Sequence, residues 1–215
     1  MKRVRTKICG VTTPEDALYA LECGADAIGL NFHPASPRYL SLERAANIVD
    51  QLPPFSVTVG VFVDHSIEEV TEIARRLYLS AVQTYNPDAL GQLPRDIPHI
   101  PAFRIAVPEQ LQDVTRRLDI LALRQLLPAA ILLDSFVPGE MGGTGHKAPW
   151  DLLANFRPPV PVILAGGLTP DNVFDAIKLV QPWGVDVASG VESKPGFKDP
   201  GKLRMFVQNV RFMTG

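Results

Sequence analysis

An apolar strand that ends in a reactive side chain aims chemistry at the mouth of a pocket, and this chain has two candidates. Cys9 closes the run Val4–Cys9 and is followed by Gly10. A thiol in that position serves as base or nucleophile if its pKa is lowered, and as a small core residue otherwise. Asp134 closes Ala130–Asp134 after four apolar residues. A carboxyl group emerging from a dry strand is a candidate general acid, or else a residue that orders the loop behind it. Arg38 lies in the proline-rich loop Asn31–Leu40. Its planar fork is shaped to clamp a carboxylate, and an exposed surface arginine is the alternative.

Two small-residue turns suggest what such a pocket would hold. Val162-Ile163-Leu164-Ala165 runs into Gly166-Gly167-Leu168-Thr169-Pro170, and Gly184-Val185-Asp186-Val187 runs into Ala188-Ser189-Gly190-Val191. Small residues let backbone N–H groups approach a ligand closely, and such groups suit a phosphate. Two such turns, one β-α unit apart, match the phosphate site after strands 7 and 8 of a (β/α)₈ barrel. A phosphorylated small molecule is the implied ligand. The alternative is that these glycines only make tight turns. A third glycine-dense loop, Gly139–Lys147 with Gly143 inside it, reads as a lid or a further ligand-contacting turn.

The elements that must position these residues alternate along the chain. Strands are expected at Val4–Cys9, Ala27–Asn31, Val57–Val63, Ala81–Thr84, His99–Ile105, Ala130–Asp134, Pro161–Ala165 and Gly184–Ala188. They are short, apolar and often β-branched, as strands buried on both faces should be. Helices are expected at Pro14–Cys23 behind the N-cap Thr13, Leu42–Leu52 behind Ser41, and Ile67–Leu77 behind Ser66. Further helices are expected at Glu109–Arg124, from Thr169-Pro170-Asp171 onward, and at Lys202–Val210, with short ones near Asp88–Leu93 and Trp150–Asn155. Eight strands alternating with helices predict an α/β fold, a single (β/α)₈ TIM barrel spanning residues 1–215.

Composition narrows the function class. The 215 residues are 46 % hydrophobic and 20 % charged, with a formal net charge of −2. That balance gives no reason to expect nucleic acid or an anionic membrane as partner, so local groups must hold an anionic ligand. No apolar run is long enough to span a bilayer. The cysteines Cys9 and Cys23 make no disulfide scaffold, and Cys23 reads as packing. A cytoplasmic setting is the expectation. The four histidines are scattered, and no metal site is expected.

The ordered motifs resemble the phosphoribosylanthranilate isomerase family over nearly the whole chain. They include Lys7-Ile8-Cys9-Gly10, Gly24-Ala25-Asp26-Ala27, Ser36-Pro37-Arg38-Tyr39, Leu132-Leu133-Asp134-Ser135, Gly142-Gly143-Thr144-Gly145, Ala165-Gly166-Gly167-Leu168, Ser189-Gly190-Val191-Glu192 and Lys198-Asp199. The resemblance implies an Amadori rearrangement in tryptophan biosynthesis that needs no cofactor. It makes Asp134 the general acid that opens the sugar ring and Cys9 the base that takes the C2 proton. It gives Arg38 the anthranilate carboxylate and places Gly143, Gly166, Gly167, Ser189 and Gly190 on the substrate, the last four at its phosphate. It leaves monomer and homodimer both open. Departures stand at Tyr85, where the family's Gln-Leu-His-Gly is Gln83-Thr84-Tyr85-Asn86, and at Pro101, Ala148-Pro149 and Ala188. They keep open a diverged paralogue that binds, or isomerises, a related sugar phosphate.

Overall fold

The computed structural model describes residues 3–86, 89–135 and 150–212. Eight parallel strands close into a barrel in chain order: β1 (Arg5–Cys9), β2 (Ala27–Asn31), β3 (Thr58–Phe62), β4 (Ala81–Thr84), β5 (His99–Arg104), β6 (Ile131–Asp134), β7 (Val162–Ala165) and β8 (Gly184–Val187). The ring is sealed by β1 against β8, with Lys7 in register with Asp186.

Side chains alternate across the barrel wall, as the two-residue period of a strand requires. Ile8, Ile131, Leu133 and Leu164 face outward into the layer between strands and helices. Val59, Ala81, Ile100, Ala102, Leu132, Ile163 and Ala165 fill the interior. This parity decides the site. Asp134 is two residues beyond the inward Leu132, and Cys9 is one residue beyond the outward Ile8, so both end their strands facing inward.

The helices are α1 (Pro14–Cys23), α2 (Leu42–Val49), α3 (Ile67–Arg76), α4 (Pro108–Leu123), α5 (Trp150–Leu153), α6 (Val173–Val180) and α7 (Pro200–Phe212). The starts of α1, α2 and α3 follow the cap chemistry read from the sequence. Thr13 and Ser41 accept N–H bonds from the first turns of α1 and α2, and Ser66 with Glu69 forms a capping box on α3. Gly24 ends α1 in the left-handed conformation.

Three expectations change. Between β4 and β5 the described residues 89–98 hold turns and no α-helix. Pro94 and Pro98 interrupt the segment, removing backbone N–H donors a helix would need, and Asp88 lies outside the described residues. The helix expected from Thr169 begins at Val173, because Thr169–Asn172 forms a turn in which the Asn172 side chain accepts the Thr169 N–H at 2.8 Å. Finally, a β-hairpin absent from the sequence reading follows β8: a 3₁₀ turn Ser189–Val191, then β9 (Glu192–Lys194) against β10 (Phe197–Lys198).

Candidate active site

The reactive strand ends meet at the C-terminal rim of the barrel. Cys9 is buried there with Lys7 beneath it on the same inward face. A Cβ on Gly29 of the neighbouring strand would stand 2.9 Å from Cys9 Sγ and 3.0 Å from Lys7 Nζ, so thiol and ammonium flank one gap that only a glycine leaves open. Lys7 Nζ is fixed by Asp186 at 2.9 Å and by Gln83 at 3.1 Å, all three side chains buried. A buried ammonium needs such partners. Burial acts to lower the Lys7 pKa, but Asp186 and Cys9 outweigh burial and hold the pKa above the ordinary value.

Cys9 departs from the condition set for it in the sequence. Burial pushes its thiol up, Lys7 draws it down, and Asp186 adds to the rise; burial prevails. The resting group is therefore a thiol, with a fixed ammonium beside it to receive developing thiolate charge.

Asp134 is half-buried, with the Tyr85 hydroxyl donating to its Oδ2 at 3.4 Å. The phenol's pKa is raised by burial first, then by Asp134, Asp186 and Cys9 in turn. Tyr85 thus stands between the ends of β4 and β6, while β1 and β8 are joined by the Lys7–Asp186 pair. Arg104 covers the Tyr85 ring, 5.7 Å from its centroid.

The two glycine turns are adjacent, as the sequence implies for a phosphate cradle. Gly166 and Gly167 take φ of 92° and 65°, a region side-chain-bearing residues rarely adopt. A Cβ on Gly190 would fall 1.8 Å from the Leu168 carbonyl oxygen. The β7 and β8 turns therefore touch backbone to backbone. Among the described residues, the Gly166 and Gly167 N–H groups have no hydrogen-bond acceptor. Ser135 fastens the base of this cradle, its hydroxyl 3.1 Å from the Ala165 carbonyl and itself receiving the Trp150 indole N–H at 3.1 Å. Gly143 lies outside the described residues.

Arg38 differs most from its sequence reading. One edge of its guanidinium fork is already occupied. Nε donates to Glu192 Oε1 at 2.8 Å and the terminal Nη2 to Oε2 at 2.6 Å. Lys198 Nζ closes the group, donating to Glu192 Oε1 at 3.0 Å, the Cys9 carbonyl at 2.6 Å and the Ala188 carbonyl at 3.2 Å. On Glu192, burial acts upward but is outweighed by the Arg38 hydrogen bond and the Lys198 charge, which hold its carboxyl below the usual range. Burial leads on Lys198 and lowers its pKa despite Glu192. Glu192, Lys198, Lys7 and Asp186 carry no role legible in the sequence alone. Each stands inside a quoted motif, but buried charge is visible only once its partner is in place.

Comparison with known proteins agrees with this geometry. The family model of N-(5'-phosphoribosyl)anthranilate isomerase matches residues 6–209. The chain belongs to this family. The N-(5'-phosphoribosyl)anthranilate isomerase of Geobacter metallireducens is 45 % identical over 211 residues, covering 97 % of this chain and 99 % of that protein. The Neisseria gonorrhoeae isomerase is 40 % identical over 215 residues, the full length of both. The crystal structure of phosphoribosylanthranilate isomerase from Thermotoga maritima superposes with a TM-score of 0.83 at 38 % identity, over 97 % of this chain and 99 % of that one. Another family structure, with a TM-score of 0.80 at 38 % identity and the same coverage, is a complex with reduced 1-(o-carboxyphenylamino)-1-deoxyribulose 5-phosphate. Of the family departures, Tyr85 gains a place here through its contact with Asp134. Pro101 is buried within β5, and Ala148-Pro149 lie outside the described residues.

Proposed function

We infer that this protein is a phosphoribosylanthranilate isomerase of tryptophan biosynthesis. It converts N-(5-phosphoribosyl)anthranilate into 1-(2-carboxyphenylamino)-1-deoxyribulose 5-phosphate. The observation that carries the reading is the family match over residues 6–209 of a chain whose Cys9 and Asp134 both end barrel strands facing inward.

The chemistry asks for two groups of opposite starting state. Asp134, protonated, gives its proton to the ring oxygen, and the ribose opens to a Schiff base. Cys9 rests as a thiol and acts from its thiolate form: it takes the proton from C2, and the electron pair left behind forms an enolamine. Tautomerisation to the ketone completes an internal redox shift with no net oxidant. Lys7 supports the second step by holding positive charge next to the sulfur, which favours the thiolate that accepts the C2 proton. Tyr85 supports the first by donating to the carboxylate that Asp134 becomes. The Gly166-Gly167 and Ser189-Gly190 turns hold the phosphate through backbone N–H groups, and Arg38 takes the anthranilate carboxylate.

A diverged paralogue without turnover is the reading to exclude. The test is complementation of a tryptophan auxotroph that lacks this one step. Growth without tryptophan is expected. Failure to grow, with the protein folded and abundant, would overturn the assignment.

A further inference from the structure

We propose that Glu192, backed by Lys198, is the positioning residue that makes Arg38 a one-sided receptor for the substrate's ring carboxylate. The proposal rests on the reading of Arg38 given above and adds how that residue achieves its selectivity.

A guanidinium presents two edges able to bind a carboxylate. One is formed by Nε and one terminal nitrogen, the other by the two terminal nitrogens. Glu192 occupies the first edge completely, at 2.8 and 2.6 Å. The second edge, Nη1 with Nη2, has no acceptor among the described residues beyond those on the first edge. The accessibilities follow the same division. The Glu192 and Lys198 side chains are 4 % and 1 % exposed, whereas Arg38 is 20 % exposed. The permanent partner is sealed in, and part of the arginine reaches the pocket.

Glu192 is itself held on every side. Lys202 Nζ donates to its carbonyl at 2.9 Å, and the Asp199 N–H donates to the Val191 carbonyl at 2.8 Å. Across the loop, Thr12 donates to the Gly196 carbonyl at 2.5 Å and ties the hairpin to the β1 loop. On the other side of the guanidinium, the Arg38 stem lies against Gly10, where a Cβ would stand 2.2 Å from Arg38 Cδ. The side chain is thus clamped at its stem and along one edge.

Charge favours the same use. Glu192 faces two cations, Arg38 and Lys198, so the trio keeps one positive charge for an incoming anion, while Asp16 at its outer side accepts the Lys198 backbone N–H at 3.2 Å. Without Lys198, Glu192 would cancel Arg38 outright. With it, Glu192 orients the guanidinium and leaves it attractive. Preorganisation of this kind lowers the entropy lost when the ligand binds.

The test compares two probes on the intact protein: reduced 1-(o-carboxyphenylamino)-1-deoxyribulose 5-phosphate and the same compound without the ring carboxylate. Wild type is expected to prefer the first by about tenfold or more. Glu192→Gln keeps size but puts an amide where two donors converge, so the guanidinium loses its grip. This variant should lose most of that preference while its affinity for the decarboxylated probe changes by less than about threefold. A variant that merely loosened the fold would weaken both probes alike and keep the ratio, and that outcome overturns the proposal. If Glu192→Gln does not fold, Glu192→Asp is read instead. It keeps the charge but cannot span the edge, and a retained preference there is equally fatal. Arg38→Met separates the two claims. If it keeps the preference, the reading of Arg38 itself fails; if it loses the preference while Glu192→Gln keeps it, only the role of Glu192 falls.

Discussion

The two ends of the proposed pocket are made from different materials. The phosphate end is backbone: two turns between β7 and β8 whose glycines permit positive φ and direct contact, with no basic side chain in either turn. The carboxylate end is side chain: an arginine, a glutamate and a lysine locked together at 2.6–3.0 Å. The difference follows from what each ligand group offers. A phosphate presents several oxygens and can be met by several N–H dipoles. A ring carboxylate presents one flat pair of oxygens, which a planar fork fits best. The phosphate end should therefore respond to backbone geometry, and the carboxylate end to single side-chain chemistry.

Gly190→Ala gives the largest expected effect outside the proposed catalytic pair. Its new Cβ would sit 1.8 Å from the Leu168 carbonyl oxygen, so the two turns must part. Overpacking of this order costs about 1–3 kcal/mol. Affinity for a phosphate-bearing ligand should fall by roughly 10- to 100-fold, read by calorimetry. If ribose 5-phosphate binds the variant as it binds wild type, the phosphate lies elsewhere. Arg38→Lys comes next. It keeps charge and loses the fork, so KM should rise about tenfold with kcat within a few-fold. Steady-state kinetics that show an unchanged KM would erase the contrast between the ends. Gly167→Ala should do least. Open space surrounds its Cβ position, and only its φ of 65° opposes the change. About 1 kcal/mol is expected, a roughly fivefold change in phosphate-ligand affinity.

A pH profile probes the chemistry between the ends. Burial raises the Cys9 thiol, and a base must be deprotonated to act. As pH falls, kcat/KM of the free enzyme should therefore fall, and its ascending limb should lie on the alkaline side of the usual thiol range. Lys7→Met removes the strongest opposing charge and leaves Asp186 to repel the thiolate, so the limb should move further up. A limb that stays in place in Lys7→Met would show that the ammonium does not act on the sulfur.

The same contrast explains what the sequence made legible. The proposed phosphate cradle is written in contiguous residues, because Gly166-Gly167 and Ser189-Gly190 signal their turns locally. The barrel is legible for a like reason: each strand and helix carries its own periodicity and cap. The carboxylate end is not local. Glu192 lies 154 positions from Arg38, and nothing near either residue announces the pairing. Lys7 and Asp186 are separated by 179 positions and meet only because β8 closes against β1. The hairpin that carries Glu192 and Lys198 was missed because its strands are three and two residues long, too short for an alternating pattern. Tyr85 was noticed as a departure from the family pattern, and only the structure shows that it reaches Asp134.

The central claim, that Cys9 and Asp134 carry the rearrangement as base and acid, is tested most directly by the turnover of freshly made phosphoribosylanthranilate, followed as the loss of its fluorescence. Wild type should turn over. Asp134→Asn, which keeps shape without a proton to give, should block ring opening. Cys9→Ser, a far weaker base, should block proton abstraction. Each should lose about 10²- to 10⁴-fold in kcat while binding the reduced product analogue within about tenfold of wild type. Wild-type-like rates in either variant, or an inactive wild type, would contradict the account.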